Sequence, residues 1–129
     1  MTKKMSAMCP CGSGRLHEDC CGRFLSGAVY PETAEELMRS RYSAYCAGRM
    51  DWVRLTWAPE TVPADLSGGE SIKWLGLKVL EARSIDENHA VVEFIARGRA
   101  GSSGAFRMHE RSRFEKRAGK WLYVDGDQL

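Results

Sequence analysis

Four cysteines fall within one short run, Cys9-Pro10-Cys11-Gly12-Ser13-Gly14-Arg15-Leu16-His17-Glu18-Asp19-Cys20-Cys21. Thiolates at this density match the tetrahedral, sulfur-rich coordination of Zn²⁺. Four thiolates fill that sphere and leave no position for a substrate water, so the chemistry they offer is structural. Gly12 and Gly14 let the backbone turn tightly enough for amide N–H groups to point at sulfur. Ser13 can cap the turn that returns Cys20 and Cys21 to the first pair. The adjacent pair needs a short helix end to aim both side chains at one ion. His17 is an alternative ligand. A disulfide pair, a vicinal redox disulfide at Cys20–Cys21 and four unbound thiols are the competing readings.

A second constellation lies on a strand predicted over 106–116. Its period of two places Phe106, Met108, Glu110, Ser112 and Phe114 on one face, and Arg107, His109, Arg111, Arg113 and Glu115 on the other. The first face is apolar and should turn inward, carrying Glu110 with it. A carboxylate there must be paired, hydrogen-bonded or protonated; Arg41 or a tyrosine hydroxyl is the expected partner. Tyr42, Tyr45, Trp57, Trp74, Trp121 and Tyr123 can line a common cavity with Glu110, as a small-molecule pocket or as ordinary core. The Arg107, Arg111 and Arg113 stripe can meet phosphate, but Glu93 and Glu115 are placed to neutralise it across strands. No phosphate loop, nucleophile elbow or zincin helix is present.

The totals bound these readings. The 129 residues carry 43% hydrophobic and 28% charged side chains, an ordinary globular composition. The formal charge of +2 gives no global case for nucleic-acid or membrane binding, and four thiolates with one zinc would bring it to about zero. No apolar run approaches the ~20 residues a bilayer span needs. Lys3 and Lys4 are followed by no apolar stretch, so no signal peptide is expected. The expected home is therefore the reducing cytoplasm, where clustered cysteines favour metal over disulfide. Cys46, the fifth cysteine, is expected to be a buried packing residue.

The elements that must position these groups follow from punctuation and period. Residues 1–8 are expected to be a disordered start, 9–22 a metal knuckle too short to own a core, 23–32 a connector, and 33–129 the main domain. Thr33 and Glu36 form a capping box. The helix it opens runs through Leu37, Met38, Arg41, Tyr42 and Tyr45 to a stop at Gly48. A second helix is expected over Met50 to Trp57, ended by Pro59 and Pro63. Four strands follow: 74–83, with ambiguous phase; 90–97; 106–116 after a long 98–104 loop; and 120–124, closed by Asp125-Gly126-Asp127. Helices first and then a four-strand meander predict an α+β fold, with helices against one face of a curved antiparallel sheet.

The run Cys9-x-Cys11-x-Ser13, six residues, then Cys20-Cys21 resembles the SEC-C motif, the zinc-binding tail element of the SecA translocation ATPase. The resemblance implies that Cys9, Cys11, Cys20 and Cys21 hold one structural Zn²⁺. In SecA the motif docks a protein-export chaperone. The segments Leu37-Met38-Arg39-Ser40-Arg41-Tyr42-Ser43-Ala44-Tyr45, Thr56-Trp57, His109-Glu110-Arg111-Ser112-Arg113-Phe114 and Gly119-Lys120-Trp121-Leu122-Tyr123-Val124-Asp125-Gly126 resemble the YchJ-like family of uncharacterised bacterial proteins. That family is similar to the NTF2-like fold, a cone of helices over a bent sheet. NTF2-like domains often pair through the outer sheet face, which implies a homodimer. The family implies no activity. Two functions follow as expectations: an interaction or adaptor module using the zinc knuckle to hold a protein partner, and a small-molecule binder or enzyme using a cavity around Glu110, walled by Tyr42, Trp57, Trp74 and Tyr123. Nucleic-acid binding is the weakest third.

Overall fold

The computed structural model describes residues 7–66, 72–101 and 104–129; the expected disordered start lies largely outside them. Among the described residues a short 3-10 helix (His17–Asp19) and three α-helices, α1 (Cys21–Leu25), α2 (Ala34–Ala47) and α3 (Met50–Leu55), precede four strands, β1 (Ile72–Asp86), β2 (His89–Ala100), β3 (Gly104–Arg117) and β4 (Lys120–Gln128). The strands form one antiparallel meander in the order β1-β2-β3-β4. The helices cover one face, so the chain has the α+β architecture that its pattern of elements predicts.

Local chemistry accounts for the helix ends. Thr33 Oγ1 accepts from the Glu36 amide at 3.0 Å. The Glu36 carboxylate returns to the Glu32 amide at 2.9 Å, one residue before the cap, a shifted capping box. Gly48 ends α2 at φ 71°, the left-handed stop that glycine tolerates. The second helix ends at Leu55, short of the expected Trp57. The backbone there leaves to pair with β4: Tyr123 N donates to Thr56 O and Ala58 N to Tyr123 O, both at 2.8 Å.

Strand bounds differ from expectation where the ladder outcompetes turn-forming composition. β2 and β3 remain paired through Ala100 and Gly104, so residues 98–100 and 104 of the expected loop belong to the strands. β4 continues through Asp125-Gly126-Asp127, because Gly126 pairs opposite Ser112 and Gln128 opposite Glu110. β1 carries register shifts between Trp74 and Gly76 and between Val79 and Glu81. A bulge moves the next side chains to the other face, which is why no single phase fits this strand. Trp74, Leu77 and Val79 all pack against the core, while Leu75 and Leu80 are exposed.

The core runs between α2 and the inner sheet face and includes Leu37, Val53, Val92 and Phe114. It also takes in the segment expected to be a connector. Phe24 and Leu25 of α1 are buried, and the Tyr30 hydroxyl donates to Trp121 O at 2.6 Å. Apolar burial therefore builds 23–30 into the fold. Cys46 corrects another expectation: it is exposed rather than buried, near the solvent end of α2.

On the outer sheet face Glu93 does neutralise part of the arginine stripe, at 3.0 Å from Arg111 and 2.7 Å from His109. Glu115 does not; it faces His89 and Arg117. Asp125 and Asp127, on the extended β4, hold Arg113 at 2.6 and 2.7 Å.

Candidate metal centre and ligand cavity

The four cysteines of the N-terminal run converge. Their Sγ atoms all lie within 4.8 Å of one another, and all four residues are buried. Cys11 and Cys20 Sγ are 3.6 Å apart, close to the ~3.8 Å edge of a tetrahedron with 2.3 Å metal–sulfur bonds. All five cysteines are free thiols, so neither disulfide reading is realised. The adjacent pair is reconciled by a backbone break: Cys20 caps α1 at φ −126°, ψ −115°, and Cys21 is its first residue. The donor set is thus close enough to bind one metal ion.

The surrounding groups suit an anionic centre. Ser13 Oγ lies 3.2 Å from Cys20 Sγ, and His17 Nδ1 lies 3.4 Å from Cys9 Sγ. His17 therefore sits beside the sulfur cluster as a hydrogen-bond partner. Arg15 and Arg39 each bring a guanidinium nitrogen to 3.9 Å of a cluster sulfur. Two contacts come from α2: Ser43 Oγ at 3.6 Å from Cys9 Sγ, and Arg39 Nη1 at 2.7 Å from Cys11 O. The knuckle is docked on the main domain. The thiols themselves divide charge unequally. A hydrogen bond from Cys21 pulls the Cys11 thiol down to about 4; the same bond, then burial, pushes Cys21 far up. Burial raises Cys20 as well. A divalent cation is what would let all four ionise together.

The inner face of the sheet and α2 enclose a cavity of about 300 Å³. Tyr42, Tyr45, Trp57, Trp74, Glu110 and Tyr123 all line it. Trp121 does not. It sits further along β4, opposite Lys116, with Nε1 donating to Glu32 O at 3.2 Å. Glu110 is buried, and its Oε2 accepts from Ser112 Oγ at 2.6 Å and from the Tyr123 hydroxyl at 3.1 Å. Oε1 accepts from Gln128 Nε2 at 2.7 Å. Of the two expected partners, the tyrosine hydroxyl is present and Arg41 is not in contact. Arg41 instead donates through Nη1 to Val53 O at 2.9 Å and Thr56 Oγ1 at 2.7 Å. Its guanidinium lies over the rings of Trp57 and Tyr123, 4.9 and 4.6 Å from their centroids. Burial lowers its pKa to about 10, so it is charged at neutral pH. Gly126 leaves the space that the Glu110 carboxylate fills; a Cβ there would overlap it.

Gln128 is hidden in the sequence, because Asp125-Gly126-Asp127 has turn composition and masks the strand that carries it. The inward phase alone does not single out Ser112 as a partner, although two residues apart on one strand face is the spacing that brings Ser112 to Glu110.

Together these features define a cysteine metal-site motif fused to a helix-covered, NTF2-like sheet domain. Comparison with known proteins agrees. Residues 5–23 match the SEC-C motif, and residues 33–126 match the family described as YchJ, middle NTF2-like domain. The chain belongs to this YchJ family, also designated UPF0225. It is 52% identical over 127 residues to a UPF0225 protein of Cupriavidus pinatubonensis, covering 94% of this chain and 88% of the relative. The solution structure of a SEC-C motif containing protein from Rhodopseudomonas palustris superimposes with a TM-score of 0.81 at 36% identity, covering 97% of this chain and 99% of that one. The crystal structure of a SEC-C motif containing protein from Psychrobacter arcticus gives 0.73 at 26% identity, covering 91% and 80%. Among the described residues no helix is long and apolar enough to cross a membrane.

Proposed function

We propose that the chain is a small-ligand binding protein whose N-terminal module is braced by one zinc ion on Cys9, Cys11, Cys20 and Cys21. An all-sulfur, fully buried donor set is the coordination that structural zinc favours. The binding site is the cavity walled by Tyr42, Trp57, Trp74 and Tyr123. The observation that carries this reading is a buried guanidinium and a buried carboxylate, Arg41 and Glu110, in one aromatic-lined cavity. Few polar groups in an apolar concavity is the usual make-up of a small-molecule site. Three donors on Glu110 suit an anchor better than a proton shuttle. In an NMR screen of mixed aromatic acids, amides and amines against the zinc-loaded chain, at least one chemotype should shift Phe94, Ala96 and Met108 together, and Ala96→Phe should abolish the effect. Shifts confined to the surface would remove the reading.

The SEC-C resemblance supports a second reading, docking of a protein partner on the knuckle. Met8 and Leu16 form an antiparallel bridge at its surface, exposed at 57% and 38%. Paired apolar side chains left in water suit an interface. A partner retained by the full chain should be lost with Met8→Glu/Leu16→Glu. Equal retention by both would count against docking here.

A further inference from the structure

Arg41 is the cavity group with binding capacity left over. The residue is only 6% exposed. Its hydrogen bonds leave from Nη1 alone, to Val53 O and Thr56 Oγ1. Nε and Nη2 make no hydrogen bond among the described residues. That Nε/Nη2 edge is the side on which arginine takes a carboxylate bidentately. Glu110, the carboxylate in the lining, is held away by Ser112, Tyr123 and Gln128. Buried arginines are ordinarily paired in contact; this one feels Glu110 only at longer range and has neutral acceptors as its direct partners.

The neighbouring groups narrow the class. Trp57, whose ring stacks on the guanidinium, has a buried Nε1 with no hydrogen-bond partner. An acceptor carried in beside the guanidinium would satisfy it as well. A cationic ligand is disfavoured, because Arg41 already covers the Trp57 and Tyr123 ring faces with like charge. Between a neutral acceptor and an anion, distance decides. A carboxylate in contact with Arg41 gains more than it loses to Glu110, which is farther away than an ion-pair contact. The volume of about 300 Å³ is at the small end of ligand sites and suits one or two rings.

We infer that the cavity binds a small planar aromatic carboxylate, its anion on the free edge of Arg41 and its ring against the aromatic walls. This rests on the cavity reading above and assigns the ligand class. The test titrates 2-naphthoate, 2-naphthamide and 2-naphthylmethylamine into the zinc-loaded full chain, by calorimetry and by ¹⁵N NMR of the indole N–H groups. Naphthoate should bind one to one, at least about tenfold tighter than the amide, with the amine weakest. The Trp57 indole signal, identified with Trp57→Phe, should move. Arg41→Lys should weaken naphthoate by about tenfold or more. Should that variant not fold, Trp57→Phe, which keeps an aromatic face but removes the indole N–H, should weaken it about threefold. Glu110→Gln should strengthen it by removing the like charge. Equal affinity for acid and amide, or tighter amine binding, overturns the carboxylate class while the cavity stands as a ligand site. No naphthoate binding to a chain that binds another chemotype in the screen overturns it as well.

Discussion

Removing the zinc proposed for the Cys9–Cys11–Cys20–Cys21 centre is expected to unfold the knuckle together with α1 and to lower the stability of the whole domain by about 3–5 kcal/mol. The size follows from how the centre is built in. The knuckle has no core of its own, and α1, five residues long, is too short to persist alone. Phe24 and Leu25 belong to the same buried cluster as Leu37 and Val92, so melting α1 uncovers part of the domain core. Arg39 would also lose the Cys11 carbonyl, and Ser43 the Cys9 thiol. Zinc on short four-ligand peptides is worth about 10–16 kcal/mol, nearly all of it folding energy; here the sheet retains its own core and the loss is smaller. A chelator titration followed by urea unfolding checks this. The midpoint should fall for the sheet as well as for the knuckle, and amide protection should vanish first over residues 9–25. Were the knuckle merely tethered, only local protection would be lost and the sheet midpoint would stand still. Cys11→Ser should reproduce the chelated state in a reducing buffer.

What was readable in the sequence is what short-range chemistry decides. The cysteine cluster, the Thr33 and Gly48 helix ends and the inward phase of Phe106, Met108, Glu110, Ser112 and Phe114 each depend on spacing along the chain. The misreadings arise where a distant partner decides. Asp125-Gly126-Asp127 has turn composition, yet pairing with β3 holds it as strand, so that Asp125 and Asp127 reach Arg113 and Gln128 reaches Glu110. Residues 23–32 look like a linker until Phe24, Leu25 and Tyr30 find the core. Trp57 keeps helical spacing with Val53, but its backbone is taken by β4. The β1 phase could not be assigned because bulges break its period. Glu110 has an inward phase, for which Arg41 or a tyrosine hydroxyl is the expected partner. The structure separates Arg41 from Glu110 because α3 and its C-cap offer Arg41 the Val53 carbonyl and the Thr56 hydroxyl, while Ser112, Tyr123 and Gln128 supply Glu110.

Phe114→Ala should be the most damaging single change at the cavity wall, costing about 3–5 kcal/mol and lowering Tm by roughly 10–20 °C. Phe114 is 2% exposed and lies between Ala90 of β2 and Tyr123 of β4 in the ladders. Its ring meets Tyr123 edge-on, with centroids 5.7 Å apart. Truncation loses the burial of the ring and leaves a hole that flanking strands cannot close without breaking register. The effect should reach the binding site through Tyr123, which stacks on Arg41 and donates to Glu110. With its support gone, Tyr123 can tilt, and both charged groups lose a fixed neighbour. Ligand affinity should therefore fall further than the loss of Phe114's own contact would cause. Phe114→Leu provides the comparison: it keeps most of the volume, should cost under about 1.5 kcal/mol, and should leave Tyr123 in place. Urea unfolding of both variants at matched zinc content reads the stabilities, and the Tyr123 ring signals read the tilt. A loss below about 1 kcal/mol for the alanine variant would mean that the wall behind Tyr123 collapses freely. Arg41 and Glu110 would then be held by their hydrogen bonds alone.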